Sequence, residues 1–395
     1  MTTAVLDLDF DQLPRVITGL EGYSYALILV RLSGQPVGQV RLPVAGGRIN
    51  GSELHQTVVE AADSAFWERW LHCQLGWEQA NPTRAASPTA TIAVCTRDRP
   101  DDVRRCLEAL MRLPNDGQEI LVVDNCPSTD ATRRIVQEFS WVRYVVEPRP
   151  GLNNARNRAL YEARHEIIAF ADDDAVPDPG WLRALLRNYD HPLTLCVTGL
   201  TMPLELETEA QELFERYISF MRGFEYRAFD EAFKKPLAVG RCGVGTNMSV
   251  RRSLLKWVGP FDEALDAGTP TRSGGDNDMF SRILASGYRI VYDPAALSWH
   301  RHRTSMAELK RQLHGYGVGN FATWTRNIFI DGEPGALKEA QQAVGRRLND
   351  LLASLRREPN RVPLNIIAAI LLGYAMGPWA YYFSRRRFPT RSWRL

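Results

Sequence analysis

Between Thr91 and Asp174, short apolar runs alternate with amphipathic segments, and this alternation limits the fold more than any other feature of the chain. Thr91–Cys95, Glu119–Val123, Val142–Val146 and Ile167–Ala171 read as strands. The segments between them, Asp101–Leu113, Ser128–Phe139 and Asn153–Ala163, read as helices. Pro100 suits the start of the first helix and Pro114 its end, while Ser128 or Thr129 suits the cap of the second. Strands that are apolar throughout are covered on both faces, and parallel neighbours need a helical crossover between them. The expectation is an α/β fold: a Rossmann-like, mainly parallel sheet flanked by helices.

Parallel strands bring their carboxyl ends to one rim, where open sheets bind ligands. Four polar segments fall at these ends: Thr96-Arg97-Asp98-Arg99-Pro100, Asp124-Asn125, Pro148–Asn157 and Asp172-Asp173-Asp174. Three adjacent carboxylates repel one another unless a cation sits among them. Mn²⁺ or Mg²⁺ prefers such oxygens and shares its remaining positions with phosphates. Asp124 suits a base N–H, and Arg156 with the start of its helix suits a diphosphate.

The pattern loosens after about Thr208. Gln211–Phe229 reads as a helix, Gly240–Gly245 as a loop and Thr246–Val250 as a strand. Gly274-Gly275-Asp276-Asn277-Asp278 opens a helix over Met279–Ser286; its carboxylates either cap that helix or supply a general base. After the strand Arg289–Asp293 comes Ser298-Trp299-His300-Arg301-His302-Arg303. Here His300 suits the metal shell begun by Asp174, with His302 and Arg301 or Arg303 near leaving phosphates.

From Thr91 to Arg303 the chain resembles the family 2 glycosyltransferases, inverting enzymes of the GT-A fold. The resemblance rests on Thr91–Pro100, Leu121–Asn125, Gly151–Asn157, Asp172-Asp173-Asp174, and Gly245–Arg252 with Phe261-Asp262-Glu263 and Gly274–Phe280, in that order. It implies that Asp124 contacts the base, that Asp172 reaches ribose or metal, and that Asp174 and His300 bind a divalent metal, Mn²⁺ or Mg²⁺. Thr96, Arg97, Asn153, Arg156, Asp173 and Asn247 join the nucleotide-sugar-binding set. Asp276 is the implied base with Asp278 in support. Gly275 departs from the Glu that many members carry beside this Asp. The implied donor is a nucleotide-diphosphate sugar, UDP-sugar by preference, and the acceptor a glycan or lipid-linked hydroxyl, as in polysaccharide biosynthesis. Two rival readings are a haloacid-dehalogenase-like phosphatase using Asp172 as nucleophile and a non-catalytic nucleotide-sugar-binding protein. The first would place its nucleophile on an early strand, yet three strand–helix units precede Asp172.

The flanks lie outside this resemblance. Residues 1–80 read as a small α+β unit: a hairpin of Tyr25–Arg31 and Val37–Leu42 around Ser33-Gly34, then a helix over Glu53–Leu75 with Trp67, Trp70 and Leu71 as core. Residues 81–90 read as a linker, 91–305 as the catalytic domain and 306–395 as a helical region. From Lys338 to Leu395 there are eleven Lys/Arg against three Asp/Glu, so the net charge of +2 leaves about −6 elsewhere. A tail of that sign prefers an anionic surface, and the rest is no nucleic-acid binder. Val362–Phe383 has 22 residues without a charge, followed by Arg385-Arg386-Arg387. The length suits a bilayer span, but Pro363, Asn365 and Pro378 argue for an interfacial anchor with Trp379, Tyr381 and Tyr382 near headgroups. A helix packed in a soluble core is the remaining alternative. Six scattered cysteines without a CxxC pair, and an N-terminus bearing Asp7, Asp9 and Asp11, suggest a cytoplasmic protein on the inner membrane face.

Overall fold

The computed structural model describes residues 2–77, 89–230, 237, 239–358 and 361–389. The expected linker lies outside the described residues up to position 88. The N-terminal unit contains β1 (Thr3–Asp9), β2 (Val16–Ile17), β3 (Tyr25–Leu32), β4 (Gln35–Pro43), β5 (Ile49–Asn50), α1 (Gly51–Ala61) and α2 (Ser64–Gln74). β3 and β4 form the expected hairpin, and β1 adds in parallel to the other edge of β3. One helix was expected over Glu53–Leu75, but two are found. Ala62 is extended, and Asp63 starts the second helix by accepting from the Phe66 N–H. Phe66 is the residue buried there, whereas Trp67 and Leu71 stand exposed instead of joining the core.

The central region follows as β6 (Ala90–Thr96), α3 (Pro100–Leu110), β7 (Glu119–Asn125), α4 (Ala131–Gln137), β8 (Val142–Glu147), α5 (Leu152–Glu162), β9 (Ile167–Asp172), β10 (Ala175–Pro177) and α6 (Trp181–Leu186). Then come β11 (Thr194–Pro203), α7 (Glu209–Tyr217), β12 (Arg227–Phe229), β13 (Asn247–Arg251), α8 (Leu254–Trp257), α9 (Gly275–Ala285) and β14 (Arg289–His300). The sheet runs β10-β14-β11-β13-β9-β6-β7-β8, with β12 paired to β14. β9, β6, β7 and β8 are mutually parallel, and β13 is the antiparallel insertion that carries the sheet on to β11 and β14. Each face is covered by its own apolar cluster. Ala159, Phe170, Met248 and Phe280 belong to one, and Ile92, Leu107, Val122 and Trp181 to the other.

Three boundaries differ from expectation. Ser128 does not cap α4: its N–H and hydroxyl both bond Asp98 Oδ1, and Asp130 takes the cap position. Pro177, which in the sequence reads as the end of the Ile167–Ala171 strand, does not end it: the chain turns at Asp173-Asp174, and Pro177 belongs to β10, paired with β14. The helix expected to reach Phe229 stops at Tyr217, because Ser219 adopts φ 38°, after which Phe220 dips into the core and the chain returns as β12.

The C-terminal region is α10 (Met306–Phe329), α11 (Gly335–Leu355) and α12 (Leu364–Arg387). α12 is long and apolar enough to cross a membrane, with mean hydropathy 1.4. One face is nonetheless packed on α10. A Cβ on Gly373 would fall 2.4 Å from the His314 carbonyl oxygen, and one on Gly317 would fall 2.5 Å from that of Ile370. The backbones touch only because these residues lack side chains. Ile366, Ile367, Ile370 and Tyr374 fill the same seam. Tyr381, expected near headgroups, is instead buried, and its hydroxyl donates to Asp262 Oδ2 at 3.0 Å.

Candidate active site

The carboxyl ends of β6, β7 and β9 lie side by side, with Thr96 opposite Asp124 and Cys95 opposite Asp172. The turn after β9 reverses the chain into β10, which pairs antiparallel with the end of β14 and sets Ala175 opposite His300. The Arg301 N–H donates to the Asp174 carbonyl at 3.0 Å and locks that turn. Two strand ends distant in sequence are thus joined so that Asp174 Oδ1 and His300 Nε2 stand 3.2 Å apart. One donor atom from each of Asp172, Asp174 and His300 lies within 4.8 Å of the others. Two carboxylates and an imidazole on neighbouring backbones form a donor set that fits Mn²⁺ or Mg²⁺.

Charge around this cluster is uneven. Burial and the neighbouring charge of Asp174 push the carboxyls of Asp172 and Asp173 up. Burial opposes the charge of Asp174 too, but His300 and Arg99 beside it hold its carboxyl far below the usual range. Burial also works against a proton on His300, and Asp174 overrides it, so the imidazole sits above its ordinary value. Arg99 Nη1 reaches Asp173 at 2.6 Å and Asp174 at 3.0 Å, and Arg303 lies 3.6 Å from Asp174.

The start of α9 lines the same cavity, of about 570 Å³. Gly274 caps this helix at φ 101°, and the Thr323 hydroxyl of α10 donates to its carbonyl at 3.1 Å. Asp276 follows on the first turn and faces the cavity. Its Oδ2 accepts from the Gly245 N–H and its Oδ1 from the Asn277 N–H, each at 2.8 Å. Two backbone donors therefore orient a carboxylate that keeps free lone pairs. Between Asp276 and Asp172 lies the buried Arg156 guanidinium, which donates to Asp266 Oδ2 at 2.8 Å. The Gly275 position has no room for a side chain. A Cβ there would fall 2.3 Å from Asn153 Nδ2 and 2.5 Å from Asp266 Oδ2.

Of the residues singled out in the sequence, Thr96, Arg97, Arg156, Asp172, Asp173, Asp174, Asp276 and His300 line this one cavity. Thr96 is also spent on Asp173, donating at 2.7 Å. Four expectations are corrected. Asn153 is buried and donates to the Asp262 carbonyl, holding α5 to the next loop instead of meeting a nucleotide. Asn247 is buried too, bonding the Leu200 and Ala296 carbonyls and the Trp181 indole, so it ties β13 to its neighbours. Asp278 is fully buried and paired with Arg282 and Arg326, anchoring α9 rather than supporting the base. His302 turns inward to Glu215, away from any phosphate. Asp124 is buried at the rim, where its Oδ2 accepts from the Tyr144 hydroxyl at 2.7 Å while Oδ1 has no partner among the described residues. Sequence reasoning missed Asp266, Arg222 and Arg272, which also line the cavity. Asp266 and Arg272 share one signal, positive φ in a non-glycine residue (83° and 66°), which no sequence pattern announces.

Residues 91–258 match the family described as Glycosyl transferase family 2. The pre-mycofactocin glycosyltransferase of Mycobacterium tuberculosis is 27% identical over 72% of this chain and 58% of its own length, so the chain spans little more than half of that relative. A glucosyl-dolichyl phosphate glucuronosyltransferase of Haloferax volcanii is 23% identical over 53% of this chain and 68% of its own. Among solved structures, the mannosyltransferase PcManGT of Pyrobaculum calidifontis, in complex with GDP-Man and Mn²⁺, aligns with a TM-score of 0.50 and 16% identity. That alignment covers 79% of this chain and 94% of the other. The sheet order, the rim on which the acidic turn sits and the family match agree: residues 91–258, which carry that turn, match glycosyl transferase family 2, and the fold is GT-A.

Proposed function

We propose that the protein is an inverting glycosyltransferase. It moves a sugar from a nucleotide-diphosphate sugar to an acceptor hydroxyl by a single displacement, with Asp276 as general base. One observation carries this reading: the carboxylate of Asp276 and the Asp172–Asp174–His300 cluster line the same cavity. A base and a diphosphate site around one cavity are what a single displacement requires.

Asp172, Asp174 and His300 would hold the divalent cation. When bound, it neutralises charge building on the leaving diphosphate. Arg99 and Arg303 flank those carboxylates and offer further positive charge to the phosphates. Asp124, with one unpartnered buried oxygen, suits a hydrogen bond from the base. Asp276 takes the acceptor proton; Arg156, held by Asp266, offers its positive charge to the carboxylates of Asp172 and Asp276. UDP is the favoured nucleotide, with GDP and dTDP as competitors. A lipid-linked acceptor accords with the Haloferax relative's name and with the basic, apolar C-terminus. Residues 91–305 are the proposed catalytic domain, flanked by the N-terminal unit and the C-terminal helices, at the cytoplasmic membrane face.

Calorimetric titration of UDP, GDP and dTDP, with Mn²⁺ and with EDTA, tests the donor half. Binding of one nucleotide that needs metal and is lost in Asp174→Ala supports it; a folded protein that binds none overturns it. Asp276→Asn tests the base: transfer is expected to fall by about 10²–10⁴ with nucleotide affinity unchanged.

A further inference from the structure

His300 does not stand alone behind the acidic turn. Its Nδ1 lies 3.3 Å from Nδ1 of His302, and Nε2 of His302 lies 3.1 Å from Glu215 Oε2 on α7. All three side chains are sheltered: His300 is 6% exposed, His302 3%, and the Glu215 side chain 12%. Phe220 packs edge-on against His300 and Phe214 tilts onto His302, at centroid distances of 5.1 and 4.4 Å. The Ser219 hydroxyl donates to the other Glu215 oxygen at 2.7 Å and fixes the carboxylate.

The proton placement follows from which atoms can donate. An ionised carboxylate only accepts, so His302 Nε2 carries a hydrogen. A neutral His302 then has a bare Nδ1, and the neighbour 3.3 Å away must donate to it. His300 therefore carries a hydrogen on Nδ1, and its Nε2, 3.2 Å from the Asp174 carboxylate, is the nitrogen left to give up its hydrogen when a cation takes that place. An imidazole ligates a cation only through a nitrogen lone pair, and partners that fix the tautomer raise its basicity.

We propose that Glu215 and His302 are positioning residues, a buried relay that presents the Nε2 lone pair of His300 to a divalent cation held with Asp172 and Asp174. The proposal rests on the metal-dependent reading above and adds to it a carboxylate from α7 that no strand-end motif contains. The relay runs Glu215–His302–His300, with each group donating to or accepting from the next, and it stores no charge of its own on the outer histidine.

The first test is ¹⁵N-histidine NMR of the metal-free protein at alkaline pH. Nδ1–H on His300 and Nε2–H on His302 are expected; a His300 without a hydrogen on Nδ1 would overturn the relay whatever the protein binds. The second is Mn²⁺ binding, read by electron paramagnetic resonance, on wild type, Glu215→Leu, Glu215→Gln, His302→Leu and Asp174→Ala, each checked for a native melt. Glu215→Leu and His302→Leu are expected to weaken Mn²⁺ by about 10–100-fold, with Glu215→Gln, which keeps an acceptor, close to wild type. Asp174→Ala is expected to abolish binding. Wild-type Mn²⁺ affinity in folded Glu215→Leu and His302→Leu, with loss only in Asp174→Ala, overturns the relay and spares the transferase reading. No Mn²⁺ binding by wild type, with or without UDP, overturns both. Should a Leu variant fail to fold, the NMR tautomers still decide.

Discussion

Gly275 shows how a single position can be both legible and misread. The sequence marks it as a departure from the acidic pair that the resemblance implies. The structure supplies the reason: Asn153 and Asp266 occupy the volume that a side chain would need. Gly275→Ala is therefore expected to displace Asp266 and lower thermal stability by about 1–3 kcal/mol, with a loss of transfer as Arg156 shifts. Differential scanning calorimetry beside a transfer assay checks it, and an unchanged melt would refute it. Asp278 makes a second case. Asp276 and Asp278 look equivalent in sequence, but two residues along a helix turn the side chain to another face, so only Asp276 reaches the cavity. Asp278→Ala is expected to cost about 3–5 kcal/mol by taking from Arg282 its paired carboxylate and from Arg326 one of three, Asp262 and Asp331 remaining. Asp276→Asn, by contrast, should leave the melting temperature near wild type. The acidic turn was readable because strand ends in parallel sheets share a rim. Asn153 and Asn247 were misassigned because the same rim also needs buried amides to satisfy backbone carbonyls, and sequence does not separate the two uses.

Among the elements, strands and crossover helices of the first half were legible because each carries its own periodicity. α7 was not, since its end is set by a left-handed Ser219 and by what it packs against. Two of its three glutamates point to different bodies. Glu212 meets Thr3 and Arg41 of the N-terminal unit, and Glu215 meets His302. Leu27 and Leu29 of β3 pack on Leu200 and Met202 of β11 beside this helix, joining the N-terminal unit to the sheet. Breaking the outer contact with Glu212→Ala is expected to weaken Mn²⁺ several-fold while leaving Asp276, and hence the base, untouched. Mn²⁺ titration of that variant checks it; unchanged affinity would show that α7 holds its place without the N-terminal unit.

For the molecule as a whole, the tail was the least legible part. Hydropathy reports that α12 is apolar, not where its apolar face goes. One face meets α10; the other leaves Leu372, Trp379 and Phe383 exposed, close to Arg385, Arg386 and Arg387. Such a face suits the surface of an anionic bilayer, with about 1 kcal/mol per basic residue from charge. The protein is expected to bind vesicles containing phosphatidylglycerol, to be released by roughly 0.5 M salt or alkaline carbonate, and to ignore neutral vesicles. Retention after carbonate washing would argue for a true span instead.

The packed face of α12 has its own consequence. Asp262 accepts from Arg326 of α10 and Tyr381 of α12, and Ser384 bonds the Ala264 carbonyl two residues on. That short segment also receives Asn153 from α5 and leads directly to Asp266. Anyone trimming the hydrophobic tail at Pro363 to obtain a better-behaved enzyme would be pulling out the wall that backs the cavity. The shortened protein should lose transfer and melt early although every residue that meets substrate is still in place.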